Sequence, residues 1–158
     1  MTDFALLGES LAGVHNYMPT PFLPDYSLDT DGMRNNVAFH AANFHDDMIV
    51  TVGGVYGEGD TMDLDEHKDC VSAAVDGAGG KIHVMAGVVG GYRMQRRMAR
   101  NAEEAGAGSI IVFFPRIGSY VEEVAYSYLR ELAESVSIGI IVFPMRDDGI
   151  WVTVLERL

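Results

Sequence analysis

Short apolar runs without charged residues alternate with amphipathic helical segments along nearly the whole chain. The runs are rich in Val and Ile, as is typical of strands that a parallel sheet buries on both faces. The expected strands are 11–18, 48–52, 82–88, 109–114 and 138–143, and the expected helices are 29–45, 63–77, 92–105, 120 or 121–135 and 150–158. The repeat of about thirty residues is that of a βα unit. It predicts an α/β fold, either a (β/α)8 barrel or an open doubly wound sheet, which periodicity does not separate.

Local residues mark the ends of three expected helices. Asp63 is followed three residues later by Glu66, a capping-box variant that opens the helix 63–77. Ser119 and Glu122 repeat this spacing, so the helix after the fourth strand is expected to begin at residue 120 or 121. Gly106 is expected to stop the third helix, because glycine readily adopts the left-handed conformation found at helix ends.

The sulfur-containing residues of the helices are expected to lie in the core. Cys70 falls inside the second helical pattern and behaves there as a small apolar residue. As the single cysteine it can form no disulfide within the chain, which fits a reducing compartment. Met94 and Met98 share one helical register with Ala102 and Ala105, so the methionines are expected to fill the core rather than bind a metal.

The chain is strongly acidic. It has 158 residues, a formal net charge of -12 and a pI near 4.6. Nucleic acids and anionic membranes require basic patches, so this charge argues against both as partners. No apolar stretch approaches the roughly twenty residues of a membrane span, and the N-terminus lacks the pattern of a signal peptide. A cytoplasmic protein is therefore expected.

Residues 52–58, with the sequence VGGVYGE, join the second expected strand to the following helix. Glycines allow backbone N–H groups to point at an anion, and a helix N-terminus favours negative charge. The same glycines would also be needed if the turn served only to reverse the chain. Gly54, Gly57 and Gly59 match neither the phosphate-loop nor the dinucleotide pattern, which disfavours a nucleotide site. Two interpretations stay open, a small-anion site and a structural turn.

Both candidate architectures place ligands at the carboxyl ends of the strands. Five segments are therefore expected to surround one mouth. They are Thr20, 53–58, 88–91, 115–120 and 143–146.

Histidines offer few other candidates for chemistry. His15 lies on the first strand and is expected to be packed or hydrogen-bonded rather than to point into the mouth. His40 and His45, with Asp46 and Asp47, include possible metal ligands. The two histidines are five residues apart, a poor match for one helix face, so no metal site is expected.

An ordered set of motifs resembles the dihydrodipicolinate synthase and N-acetylneuraminate lyase family. The similarity runs from about Leu11 to the last residue. It comprises Thr20-Pro21-Phe22, Gly54-Val55-Tyr56-Gly57-Glu58, Asp65-Glu66, Val84-Met85-Ala86-Gly87-Val88, Ala102-Glu103 with Ala105-Gly106-Ala107, Pro115, and Ile140-Ile141-Val142-Phe143. The resemblance implies a (β/α)8 barrel and a class I aldolase mechanism, in which a lysine forms a Schiff base with a 2-keto acid such as pyruvate. Relatives of this kind include sugar-acid dehydratases, and none of this chemistry implies a cofactor.

The resemblance also implies roles for residues of the glycine turn. Two hydroxyl-bearing residues usually precede its Gly-Glu pair, where they hold the substrate carboxylate and relay protons. This chain has Val55 and Tyr56 there, between Gly54 and Gly57. Backbone N–H groups can still bind the carboxylate, and the Tyr56 hydroxyl is a candidate to replace one lost hydroxyl, but Val55 cannot relay a proton.

Two family tyrosines fall on other residue types. The tyrosine at the end of strand five matches Phe143, which lacks the hydroxyl, and the tyrosine after the strand-four proline falls on Ile117. The neighbouring Arg116 is a candidate to bind a substrate carboxylate through two hydrogen bonds, although a solvated surface arginine is the alternative interpretation.

The family's Schiff-base lysine lies on strand six, beyond the five strands predicted here. The two lysines present are Lys68, near the start of the second helix, and Lys81, before the third strand. Lys68 is expected to face solvent, and Lys81 to lie at the opposite end of the barrel from the mouth. A nucleophilic lysine needs surroundings that lower its pKa, which neither position offers. The chain alone is therefore not expected to form the intermediate.

A complete barrel of this type needs about 250 residues. Residues 1–158 are therefore interpreted as a single incomplete barrel domain that supplies the first five βα units and stops before strand six. Its unpaired sheet edges favour association, so a homo-oligomer is predicted. Two functions stay open: a lyase or aldolase acting on a 2-keto acid or sugar acid, and a non-catalytic relative that binds a small carboxylate.

Overall fold

A computed structural model describes residues 8–9, 11–44, 47–114, 121–144 and 150–158 of the chain. Five parallel strands form one sheet: β1 (Val14–Tyr17), β2 (Met48–Val52), β3 (His83–Val88), β4 (Ser109–Phe113) and β5 (Gly139–Phe143). The helices that follow them are α1 (Thr30–Asn43), α2 (Leu64–Ala78), α3 (Tyr92–Glu104), α4 (Glu122–Ala133) and α5 (Ile150–Arg157).

The strand order in the sheet is β1-β2-β3-β4-β5, the same as the order along the chain. A doubly wound sheet would reverse direction at a switch point, whereas a barrel adds each strand beside the previous one. The observed order therefore decides between the two predicted architectures in favour of the barrel arrangement.

The strand register separates two faces of the sheet. On the outer face, Asn16 contacts His40 of α1 through a side-chain hydrogen bond of 3.3 Å, and its register partner Val50 is fully buried. On the inner face, Tyr17 is in register with Thr51, and Thr51 with Met85. Successive residues of a strand alternate between faces, so the helices cover one side and the barrel interior lies on the other.

The central strands β2 and β4 are buried along their whole length, because helices cover one face and neighbouring strands flank both edges. The outermost strands β1 and β5 are only partly buried. Their outer edges carry no strand partner among the described residues. A sheet with two such edges is the geometry expected of a barrel that is not closed.

Several predicted boundaries are confirmed. Strand β2 has the predicted ends. The Asp63 side chain accepts hydrogen bonds from the amides of Asp65 and Glu66 at 2.8 and 2.9 Å, and Glu66 accepts one from the Asp63 amide at 3.0 Å. Helix α3 ends just before Gly106, which has a φ of +91°. These local signals act within a few residues, so tertiary contacts do not override them.

The predicted start of α4 is wrong. The helix begins at Glu122, with Val121 in the cap position and no side-chain cap. Ser119, the residue expected to cap it, lies outside the described residues. Glu122 is the first residue of this helix and so does not occupy the third helical position of a capping box; its carboxylate accepts a hydrogen bond from Arg157 of α5 at 2.8 Å.

The core prediction holds for Cys70, Met98 and Ala102, which are buried, and fails for Met94. Met94 is 42% exposed because it lies in the first turn of α3, beside Gly90 and beyond the end of the sheet. Within the described part of the chain, no helix has the length and apolar character needed to cross a membrane.

Candidate functional site

The glycine turn after β2 forms a short 3₁₀ helix, Val55–Gly57, at the carboxyl end of the sheet. Gly57 and Gly59 both donate their amide hydrogens to the Gly54 carbonyl, at 3.0 and 2.9 Å. Because Gly54 occupies the cap position without a side chain, no side chain of that residue satisfies the amides that open this short helix.

Two contacts hold the turn against neighbouring strands. The Thr20 hydroxyl donates a 2.5 Å hydrogen bond to the Gly57 carbonyl, which ties the segment after β1 to the turn. A Cβ added at Gly87 on β3 would lie 2.1 Å from the Gly54 Cα, so the two backbones approach too closely for any side chain there. Thr20 was expected at the mouth, and its hydroxyl is used to hold the turn.

The His67 side chain of α2 packs between the glycine turn and β3. The ring is fully buried, and its Nε2–H donates to the Gly87 carbonyl at 2.8 Å. Burial lowers the pKa of His67, so the neutral ring is favoured. A Cβ at Gly53 would lie only 2.9 Å from the ring carbon Cδ2. The imidazole thus fixes the distance between α2, β3 and the glycine turn.

Two tyrosines meet at the mouth. The Tyr17 and Tyr56 rings pack edge to face, with centroids 5.4 Å apart. Tyr56 is 63% exposed, whereas Tyr17 is partly buried at the end of β1. Burial, and secondarily the neighbouring Tyr56, raises the pKa of Tyr17. The Tyr17 phenol is therefore protonated at neutral pH and can donate a hydrogen bond.

On the opposite side, the mouth is lined by phenylalanines. The Phe113 and Phe143 rings lie 5.2 Å apart, and a Cβ at Gly54 would be 3.1 Å from the Phe113 ring. Gln95 of α3 donates a 2.7 Å hydrogen bond to the Phe113 carbonyl and so fixes the end of β4. Phe143 is 38% exposed. The Phe113 ring thus lies between the glycine turn and Phe143, the position where a tyrosine was expected. Among the described residues, no phenol lies on this side of the mouth.

Other predicted mouth residues lie elsewhere or outside the described residues. Val89 and Gly90 line a cavity of about 90 Å³ with the 59–64 segment, on the outer side of the turn. Arg116, Ile117 and the rest of 115–120 lie outside the described residues, as do Met145 and Arg146. The structure therefore shows no described arginine at the mouth.

Neither lysine is at the mouth. Lys68 is partly exposed and forms an ion pair with Glu104, with Nζ and Oε2 2.6 Å apart. Lys81 is exposed in the turn before β3, where its amide donates to the Ala78 carbonyl. Both positions agree with the sequence prediction.

The histidines weighed from the sequence have ordinary partners. His15 Nε2 hydrogen-bonds the Leu11 carbonyl at 2.9 Å, toward the amino end of β1. His40 stacks on Phe44, with ring centroids 5.1 Å apart. His45 and Asp46 lie outside the described residues, and the described part of the chain holds no group of three or more potential metal ligands.

Sequence reasoning missed Tyr17 and His67 as residues of the site. His67 had a detectable signal, because it occupies the same helical register as Cys70, Val71 and Ala74 and is therefore expected to face the sheet. Tyr17 gave only the weaker signal of an aromatic residue near the carboxyl end of a strand.

The chain matches the Dihydrodipicolinate synthetase family over residues 10–149. A 4-hydroxy-tetrahydrodipicolinate synthase of Chlorobium phaeovibrioides is 35% identical over 136 residues, which are 85% of this chain and 45% of that protein. The crystal structure of dihydrodipicolinate synthase from Aquifex aeolicus matches with a TM-score of 0.80 and 25% identity, over 92% of this chain and 51% of that chain.

A second kind of relative has the same fold. N-acetylneuraminate lyase from Fusobacterium nucleatum matches with a TM-score of 0.78 and 15% identity, over 93% of this chain and 53% of that chain. The chain thus spans about half the length of the relatives that it matches. Its five parallel βα units are part of a (β/α)8 barrel, and the chain belongs to the dihydrodipicolinate synthetase family.

Proposed function

We propose that the mouth is the carboxylate-binding part of a lyase or aldolase that acts on a 2-keto acid or sugar acid through a lysine Schiff base. The observation that carries this proposal is the position of the glycine turn, whose 3₁₀ helix Val55–Gly57 opens without a side-chain cap beside the Tyr17 and Tyr56 rings at the carboxyl end of the sheet. Backbone amides and phenol hydroxyls are hydrogen-bond donors suited to a carboxylate. The family relationship supports the same chemistry.

In this proposal Gly54 and Gly57 shape the turn, and the amides of Val55 and Tyr56 receive the carboxylate. The Tyr56 hydroxyl takes the place of one of the hydroxyl groups expected at this turn, and Tyr17 holds its ring in position from β1. Arg116 stays a candidate second ligand of the carboxylate. No metal or cofactor has a role in this reaction scheme.

The proposal requires a lysine that this chain does not place at the mouth. Its amine would condense with the substrate ketone and release water. We propose that residues 1–158 supply the first five βα units of an eight-unit barrel, and that the lysine lies on a sixth strand paired with β5. The partly exposed edge of β5 supports this placement.

A non-catalytic carboxylate-binding relative is the second candidate. It is favoured by Phe143, whose ring packs on Phe113 where the resemblance predicts a tyrosine hydroxyl. Val55 has no proton to relay, and it is exposed at the turn. This candidate keeps the binding role of the turn and removes the chemical step.

The first test is the intact mass of the chain after incubation with pyruvate and borohydride, which converts a lysine Schiff base to a stable amine. We expect no lysine adduct, because Lys68 is in an ion pair and Lys81 is exposed away from the mouth. An adduct on either lysine would overturn the proposed sixth-strand lysine. Peptide mapping separates lysine adducts from modification of the terminal amine.

A second test separates the two candidates. The chain is fused to the remaining barrel segment of the Aquifex aeolicus relative, with and without the paired changes Val55→Thr and Phe143→Tyr. Pyruvate adduct formation and turnover only in the changed fusion would favour a binding protein that has lost its relay. Turnover in both fusions would favour the lyase, with Tyr56 acting in the relay.

The association and location proposals are tested separately. We propose a cytoplasmic homo-oligomer, because the open edges of β1 and β5 favour association of acidic barrels. Light scattering after size-exclusion chromatography would show a mass above that of one 17.2 kDa chain.

A further inference from the structure

Tyr17, the last residue of β1, lies on the inner face of the sheet at the mouth. Its register crosses the sheet through one residue of each following strand: Thr51, Met85, Ser109 and Gly139. In a closed (β/α)8 barrel, the tilt of the strands shifts the level along the barrel axis by about one residue per strand. Four strands therefore shift the level from Gly139 to Phe143, the last residue of β5. Tyr17 and Phe143 thus belong to one layer of the barrel interior.

This layer contains one polar side chain among the described residues. By the same shift its β3 member is Gly87, against which the backbone of Gly54 packs. The glycine turn therefore lies between a phenol that projects from β1 and a hydrocarbon ring that projects from β5. Thr51, the register partner of Tyr17, has a buried hydroxyl that a ligand cannot contact.

The Tyr17 hydroxyl is available to a ligand. Tyr17 is partly exposed, and its hydroxyl has no hydrogen-bond partner within the described part of the chain. Its ring packs edge to face on the Tyr56 ring of the glycine turn, which limits its movement. Burial raises the pKa of Tyr17, so the phenol keeps its proton at neutral pH. Tyr17 is therefore an oriented donor directly beside the turn.

A 2-keto acid carries two kinds of acceptor on neighbouring carbon atoms, a carboxylate and a ketone oxygen. The proposed function assigns the carboxylate to the amides of the glycine turn, so the ketone oxygen needs a second donor close to the turn. Tyr56 belongs to the turn itself and is largely exposed, whereas Tyr17 projects from a strand into the interior. A hydrogen bond to the ketone oxygen would stabilise the negative charge that develops there when an amine attacks the carbonyl carbon.

We propose that Tyr17 is the hydrogen-bond donor to the ketone oxygen of a 2-keto acid whose carboxylate lies on the glycine turn. This inference rests on the proposed function, and it adds the residue that distinguishes a keto acid from a simple carboxylate. Phe143 faces the same layer without a hydroxyl, so the donor comes from β1 rather than from β5. The mouth should therefore favour acids that carry an acceptor oxygen on the carbon next to the carboxylate.

The test compares pyruvate with propionate, which has the same length and charge but no ketone oxygen. Both are titrated into the 158-residue chain and followed by saturation-transfer NMR. Pyruvate should bind more tightly than propionate. Tyr17→Phe should weaken pyruvate binding about 2- to 10-fold, because it removes one hydrogen bond, and should leave propionate binding unchanged. Tyr126→Phe makes the same change on α4, where the ring contacts Arg157, and should alter neither affinity.

A second variant tests the shared layer. Phe143→Tyr, added to Tyr17→Phe, returns a hydroxyl to the same level of the barrel and should recover most of the lost pyruvate affinity. A loss without recovery would overturn the placement of the two side chains in one layer.

The outcomes separate this inference from the proposed function. Unchanged pyruvate binding in Tyr17→Phe, or equal losses for pyruvate and propionate, would overturn the role of Tyr17 and leave the carboxylate site intact. No saturable binding of either acid by the folded parent chain would overturn both. Thermal melts of every variant verify folding. If Tyr17→Phe does not fold, equal affinities of the parent chain for the two acids would still overturn the inference, because they exclude a donor to the ketone.

Discussion

The close approach of β3 and the glycine turn predicts a strong effect of Gly87→Ala. The added Cβ would lie 2.1 Å from Gly54 Cα and 2.4 Å from Gly54 N, whereas ordinary contact begins at 3.4 Å. Both atoms belong to backbone, so the strand and the turn must separate by roughly 1.3 Å rather than a side chain rotating away. We expect a cost near the upper end of the usual overpacking range, about 3 kcal/mol of the free energy of unfolding.

A loss of that size should lower the melting temperature by roughly 6–12 °C for a chain of this length. Circular dichroism melts and urea denaturation measure it. Gly91→Ala is the matched control, because a Cβ there meets nothing within 4 Å. Its expected cost is below about 1 kcal/mol, arising from the less favourable alanine at a helix cap.

The same variant tests whether the turn binds the substrate carboxylate. Separation of Gly54 from β3 would displace the amides of Val55 and Tyr56, so Gly87→Ala should also weaken pyruvate binding measured by saturation-transfer NMR below the melting temperature. If Gly87→Ala and Gly91→Ala had the same stability, the reasoning from this backbone contact would be refuted.

Three further predictions concern buried polar groups. Burial lowers the pKa of His67 and also that of His83, so the unfolded chain binds more protons than the folded chain below about pH 6.5. The urea midpoint of unfolding should therefore be constant above that pH and fall below it, and the fall should be smaller in His67→Gln. The same pH dependence in His67→Gln as in the parent chain would count against a contribution from His67. Thr20→Val should lower the free energy of unfolding by about 1–2 kcal/mol, because the buried Gly57 carbonyl loses its hydrogen-bond donor. It should also speed hydrogen exchange of the amides in the glycine turn. Equal exchange rates in the variant and the parent chain would show that Thr20 does not hold the turn in place. Burial raises the pKa of Cys70 to about 11, so iodoacetamide should label it only in denaturant, and rapid labelling of the folded chain would contradict its core position.

Much of the fold could be predicted because its signals are local. The mostly apolar run 48–52 lies between Asp47 and the glycine pair 53–54, and its ends coincide with those of β2. Asp63 and Glu66 interact within one helical turn, so their spacing alone identified the start of α2. The same spacing of Ser119 and Glu122 misplaced the start of α4, whose cap residue is Val121 and whose first residue, Glu122, bonds Arg157 of another helix.

The site was less predictable, because its partners come from different strands. The glycines of the turn were visible in the sequence, but the need for Gly87 arises from its approach to Gly54 across the sheet. His67 and Gln95 each occupy the apolar face of a helix and bond a carbonyl near the end of a strand. Their register predicted burial, whereas the carbonyl that each one reaches depends on how helix and sheet pack.

The identical order of the strands in sequence and in space has a consequence for biosynthesis. Each strand pairs with the strand made just before it, so a new βα unit finds its partner already present when it leaves the ribosome. No described strand must wait for a later one to occupy a gap within the sheet. The growing edge is then always the most recently made strand, and its backbone groups remain available for unwanted pairing until the next unit arrives. Translation speed, rather than a search among alternative topologies, would set how long that edge is exposed.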